Sequence, residues 1–195
     1  MSLPPELRIK EEKKVINRFA HFGNTGDVIA SLPALRGYYE KSGVKPILYL
    51  VKDYPAIYYE GATHPIKDDN GNHVSLNETM CRLLTPLLKC QPYLQDVITI
   101  SADDYFDTDI QVNLSDIRNT FCNIPYGDIR RWYFYVFPDT FTDLCVPYIS
   151  LPEIDYEIPK DKIIISRSER YQNELIDYSF IKQHQDDCLF IGTVS

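Results

Sequence analysis

The opening of the chain changes its hydrophobic period twice. Val15 to Phe22 reads as a buried strand; Val28, Ile29, Leu32, Leu35 and Tyr39 then recur at helical spacing, and Ile47 to Val51 is a second apolar run. Strand, glycine loop, helix and strand in that order open a βαβ unit. Beyond it, Lys67 to Val74 sets an Asn70-Gly71 turn between alternating residues, which predicts a small hairpin at the rim, placed to line a ligand cleft. Leu76 to Lys89 repeats Met80, Leu83, Leu84, Leu87 and Leu88 on one face and predicts a helix with Asn77 as its cap and a kink at Pro86. Val97 to Ile100 and Ile110 to Leu114 predict further strands, with Asp103 to Asp107 as a solvated acidic loop between them, and Gly127 to Phe137 is aromatic and compatible with a helix.

After that the texture changes. Pro147, Pro152 and Pro159 punctuate Val146 to Lys160, too much proline for a continuous helix or a central strand, and an extended interdomain linker is expected over 146–160. Lys162 to Ser166 then reads as a strand, Asn173 to Gln185 as a helix and Cys188 to Gly192 as a strand. The expected organisation is an α/β, Rossmann-like domain over 1–145, the linker, and over 161–195 the first βαβ portion of a second such domain, left incomplete because a doubly wound domain takes about 100 residues or more.

With 44% hydrophobic and 25% charged residues, the 195-residue chain has enough apolar material for a core and lacks the composition of a disordered protein. A net charge of -8 with no basic run argues against general nucleic-acid or anionic-membrane binding. No apolar run reaches about 18 residues and MSLPPELRIK lacks a signal-peptide core, so no transmembrane segment and a cytoplasmic location are expected. The five cysteines, at positions 81, 90, 122, 145 and 188, have no metal-ligand spacing and read as reduced, small hydrophobic residues.

The densest chemical signal is Phe22 to Ser31, FGNTGDVIAS. Gly23 and Gly26 permit close backbone approaches, and Asp27 falls in the first helical turn, where the dipole favours a carboxylate. A phosphate-binding P-loop would need Lys and Ser/Thr after the last glycine, and Asp27-Val28 stands there instead. A dinucleotide fingerprint would need a third glycine and an acid about twenty residues on; Gly23, Gly26 and Asp53 satisfy it in part, so an NAD-dependent oxidoreductase stays open. A carboxylate in the loop itself would repel a pyrophosphate, and Asp27 fits better as a general base facing an acceptor hydroxyl. Its bland alternative is a helix-capping carboxylate.

Gly26-Asp27-Val28, followed by Ser31-Leu32-Pro33-Ala34-Leu35-Arg36 and the strand Ile47 to Val51, resembles the N-terminal signature of glycosyltransferase family 9, the ADP-heptose:lipopolysaccharide heptosyltransferases and their relatives. The resemblance implies a GT-B fold, two Rossmann-like domains with the acceptor mainly on the first and the nucleotide sugar mainly on the second. It also implies Asp27 as catalytic base, and the glycine loop, Gly23, Asn24, Thr25 and Gly26, is expected to hold the polar substrate beside it. The reaction so implied is metal-independent, inverting transfer from a nucleotide sugar to a glycan or lipopolysaccharide-type acceptor, with no cofactor besides the donor. A non-catalytic nucleotide- or sugar-binding module is the other class the chain admits.

A second candidate site follows the strand Lys162 to Ser166, where Ser166, Arg167 and Arg170 are suited to a donor diphosphate. Equally, Arg170 pairs with Glu174 at helical spacing and Arg167 is merely solvated. Asp107-Thr108-Asp109 matches a D-x-D triplet but reads as part of the acidic loop, with no metal, and His21 reads as a hydrogen-bonded core histidine. The fifteen tyrosines read as core and rim packing.

Overall fold

The computed structural model describes residues 15–56, 66–118, 127–137, 140–151, 160–166 and 177–191. The chain forms two compact units, Met1–Pro152 and Glu153–Ser195. In the first, four parallel strands lie in the order β3-β2-β1-β4: β1 Arg18–His21, β2 Ile47–Lys52, β3 Asp96–Ser101 and β4 Val112–Asn113. The helix α1, Thr25–Ser42, connects β1 to β2, and α2, Glu78–Lys89, precedes β3. This is a Rossmann-like α/β arrangement. The chain extends outward from β1 through β2 to β3, then returns to β1's other side for β4, so the point where strand order reverses lies between β1 and β4.

Phe19, Ala20 and His21 are buried in succession, as both faces of a central parallel strand should be. The β4 strand is held beside β1 partly by a side chain: the Gln111 amide oxygen accepts from the Asn17 and Arg18 backbone amides at 2.8 and 3.0 Å. Burial along α1 is wider than the spacing of its apolar residues predicts, running without a break from Ala30 to Gly37. The reason is a second layer. Tyr133, Phe134 and Ile129 pack in the same core, and Leu144, Tyr148 and Ile149 of the segment from Thr140 to Ser150 pack against it. Gly37 is the contact point, because a β-carbon there would stand 2.1 Å from the Thr140 carbonyl oxygen.

That segment includes the start of the expected linker. Val146 and Pro147 accept from Arg36, the Tyr148 carbonyl accepts from Tyr93 at 2.7 Å, and Ser150 exchanges two hydrogen bonds with the Gln91 side chain. Val146 to Ser150 is therefore fastened within the first unit; residues 152–159 lie outside the described residues.

Three other expectations change. Asp103 to Asp107 is helical: α3, Ala102–Asp107, starts where the Ser101 hydroxyl accepts from the Asp104 amide at 3.1 Å, a cap that a polar composition alone does not reveal. Gly127 to Phe137 is a 3₁₀ turn, Ile129–Arg131, followed by α4, Tyr133–Val136. It begins where Asp128 caps the Arg130 amide. Of the expected helix Asn173 to Gln185, residues 173–176 lie outside the described residues, and the rest contains α5, Ser179–Gln183, at whose start Asp177 accepts from both the amide and the hydroxyl of Ser179. In the second unit α5 lies between β5, Ile163–Ser166, and β6, Cys188–Ile191, which pair in parallel.

The rim hairpin is present, with Lys67 bridging His73 and Pro55 bridging Val74. Its turn is closed by Asp68, whose carboxylate accepts from the amides of Asn70 and Asn72, while Gly71 takes φ +83°. Asn77 caps α2 through the Met80 amide.

Asp68, Asp96 and Asp128 all ionise below the ordinary carboxylate range, held there chiefly by side-chain hydrogen bonds from Asn72, Lys89 and Arg130 respectively. A carboxyl with a lower folded than unfolded pKa stabilises the fold above the unfolded value and loses that contribution as pH falls through the folded one. Burial moves Asp53 the opposite way, raising its pKa, and offsets part of the effect. The expected result is a melting temperature that falls as pH drops below about 4. Asp128→Ala should flatten that acid limb, as followed by circular dichroism; an unchanged limb would remove Asp128 from the explanation.

Among the described residues no helix is long and apolar enough to cross a membrane. The described cysteines are all free thiols, and burial pushes that of Cys81 up to about 11.

Candidate functional site

The carboxyl ends of the four strands form one rim, and β1 ends on it with Phe22-Gly23-Asn24 before α1 begins. Asn24 occupies the cap position without a side-chain cap bond, and Asp27 stands on the third helical residue rather than at the cap. Asp27 is half-buried and Gly26 exposed. The two glycines differ in purpose. A β-carbon on Gly23 would come within 2.6 Å of the His21 imidazole Cε1 and 3.2 Å of Asp27 Oδ2, so the bare backbone at Gly23 lets an imidazole and a carboxylate flank one point. At Gly26 a β-carbon would meet nothing within 4 Å, so the close approach expected there is not made by the protein's own atoms.

A chain of hydrogen bonds fixes the loop from beneath. The Gly23 amide donates to His21 Nδ1 at 2.9 Å, His21 Nε2 lies 3.0 Å from the Tyr133 hydroxyl, and that hydroxyl donates to the Asp27 carbonyl at 2.8 Å. Since Nδ1 accepts and the tyrosine proton is committed to Asp27, the proton of His21 belongs on Nε2, and the imidazole is neutral. His21 and Tyr133 are both fully buried. From the β4 side, the Ser115 hydroxyl accepts from the Phe22 amide at 2.8 Å, and Asn113 is tied to Asp116 at 2.9 Å. The loop backbone, including the Asp27 carbonyl, is thus held by groups on β1, on α4 and just after β4 together. Tyr133→Phe keeps the ring but leaves the Asp27 carbonyl and His21 Nε2 without their shared partner. A loss of about 1 to 3 kcal/mol is expected in urea unfolding; no loss would show that the relay carries no stability.

An aromatic row crosses the same rim. Phe22, after β1, stacks on Tyr54, after β2, with centroids 4.0 Å apart and planes 17° apart. Tyr105, on α3 after β3, meets both edge-on at 5.9 and 6.5 Å, and Phe106 meets Tyr105 at 5.3 Å. Burial and, to a lesser degree, the nearby charge of Asp116 raise the Tyr105 pKa.

The site residues read from sequence thus divide. Gly23 and Asn24 of the loop and Thr25, Gly26 and Asp27 of the first turn of α1 form one contiguous stretch at the strand-order reversal, and Asp53 follows β2 with φ +60°, a left-handed turn residue. Ser166 ends β5, while Arg167 and Arg170 lie outside the described residues. Asp109 of the D-x-D triplet pairs with Arg18, and among the described residues no group of three or more His, Cys, Asp or Glu is placed to hold a metal. Arg36, part of the sequence signature, turns away from the loop to bind the carbonyls of 143–147. Ser115, Asp116, Tyr133 and the aromatic row are site-forming residues that local pattern missed. Their signal is tertiary, although an aromatic soon after each of three successive strands was visible in principle.

The chain matches no family model, no curated protein and no solved structure with which it was compared.

Proposed function

We propose that the first unit is the acceptor-binding half of an inverting, metal-independent glycosyltransferase of GT-B type, with Asp27 as its base. The observation that carries this reading is the position of Asp27: a half-buried carboxylate, on an orphan-amide helix terminus, at the strand-order reversal of a parallel sheet. Asp27 takes the proton of an acceptor hydroxyl as that oxygen attacks the anomeric carbon of a nucleotide sugar, and the nucleoside diphosphate leaves from the opposite face. The protein's part is placement. The His21–Tyr133 relay holds the loop, and Gly23 keeps the space before the carboxylate clear. Ser166, which ends β5, and Arg167 and Arg170, which follow it in the sequence, are proposed for the donor diphosphate on their chemistry. The resemblance of Gly26-Asp27-Val28 and Ser31 to Arg36 to glycosyltransferase family 9 supports the same reading.

The test is transfer from a panel of nucleotide sugars to oligosaccharide acceptors, with and without a chelator, reading nucleoside diphosphate release and the anomeric configuration of the product. Inverted product that survives chelation supports the proposal. Retained configuration, or stabilisation by NAD with no transfer, would overturn it in favour of another chemistry on the same loop.

A further inference from the structure

We infer that the aromatic row Phe22, Tyr54, Tyr105 and Phe106 is a saccharide-stacking subsite, and that the acceptor bound there is an uncharged sugar rather than a phosphorylated or carboxylated one. The inference rests on the transferase reading for its link to Asp27. Its own basis is independent of that reading.

The row is built by three different strand ends. Phe22 follows β1 directly, Tyr54 lies two residues past β2, and Tyr105 and Phe106 belong to the short helix that follows β3. Strands in parallel put these ends on one edge, so residues distant in sequence gather beside the Gly23–Asp27 loop. Phe22 to Tyr105 forms a half-buried base, whereas Phe106 is 78% exposed and touches the row through Tyr105. A ring left that open at the end of an ordered aromatic cluster is costly to hydrate and is placed to receive a partner with an apolar face. The C–H face of a pyranose is such a partner.

Charge selects among sugars. Among the described residues Asp27 and Asp116 stand along the rim, and Lys52, at the end of β2, is paired with Glu78 at 2.8 Å and lies 3.9 Å from Asp53. A phosphate or carboxylate on the acceptor would meet those carboxylates and be repelled, while neutral hydroxyls can donate to them. The polar groups therefore complement a neutral glycan.

The experiment is saturation-transfer NMR on the full chain with glucose, galactose and mannose oligosaccharides, each also supplied as its 6-phosphate. Binding of at least one neutral oligosaccharide through its ring C–H protons is expected, with affinity roughly tenfold weaker in Phe106→Ala and Tyr105→Ala and retained in Tyr105→Phe. Phe106 is exposed, so its replacement leaves the fold intact and keeps the test decisive. Preference for the 6-phosphates, indifference to both alanine variants, or no binding at all would overturn the subsite. Neutral-glycan binding that needs the row, without transfer from any nucleotide sugar, would uphold the subsite and remove the transferase. Asp27-dependent transfer to acceptors indifferent to the row would do the reverse.

Discussion

Asp27→Asn is expected to lower turnover by roughly 10²-fold or more while moving the melting temperature by only a few degrees. The substitution keeps size and most hydrogen bonding and removes the basic lone pair, so a proton-accepting role is lost outright. Stability should hardly respond, because the carboxylate is half-buried on the third helical residue, where charge and helix dipole together contribute about 0.3 to 1 kcal/mol. The loop itself is fixed by the Asp27 backbone carbonyl, which Asn supplies equally well. Steady-state kinetics with a thermal melt on the same preparation separates the alternatives. Undiminished turnover with a lowered melting temperature would make Asp27 a helix-terminus carboxylate and nothing more.

Arg36→Met is expected to cost about 2 to 3 kcal/mol in the first unit through its lost charged hydrogen bonds. Arg36 is 8% exposed, and its guanidinium reaches Pro147 O at 3.0 Å, Asp143 O at 2.9 Å and the Thr142 hydroxyl at 2.7 Å. Its Nε lies 3.2 Å from Glu40 Oε1, near enough for charge attraction although not aligned for a hydrogen bond. Methionine would fill the stem's volume and leave several carbonyls without a donor. Gly37→Ala tests the same junction by crowding, since its methyl would meet the Thr140 carbonyl and cost about 1 to 3 kcal/mol. Chemical denaturation of both variants should show coupled rather than additive losses, because both detach one segment from α1. Additive losses would mean that the segment has two independent attachments.

How much of this was legible in the sequence follows from the range of each interaction. The β1–loop–α1–β2 unit was readable because its signals are local: apolar runs, two glycines and a carboxylate within ten residues. The hairpin and the Asn77 cap were readable for the same reason. The α3 helix was misread because a single Ser101 hydroxyl outweighs an acidic composition that looks like loop. Arg36 was legible as part of a signature but not as a clamp, since its acceptors lie more than a hundred residues away.

The candidate site shows the same division. Sequence alone determined an α/β order and the stretch Gly23 to Asp27, because strand and helix periods and turn chemistry are written in neighbouring residues. Only the tertiary structure decided that β4 returns beside β1 to reverse the strand order there, that His21 and Tyr133 brace the Asp27 carbonyl, and that aromatics from three strand ends form one row. The reason is physical: strand order in a parallel sheet is set by which buried faces pack together across the whole chain, and no local window contains that information.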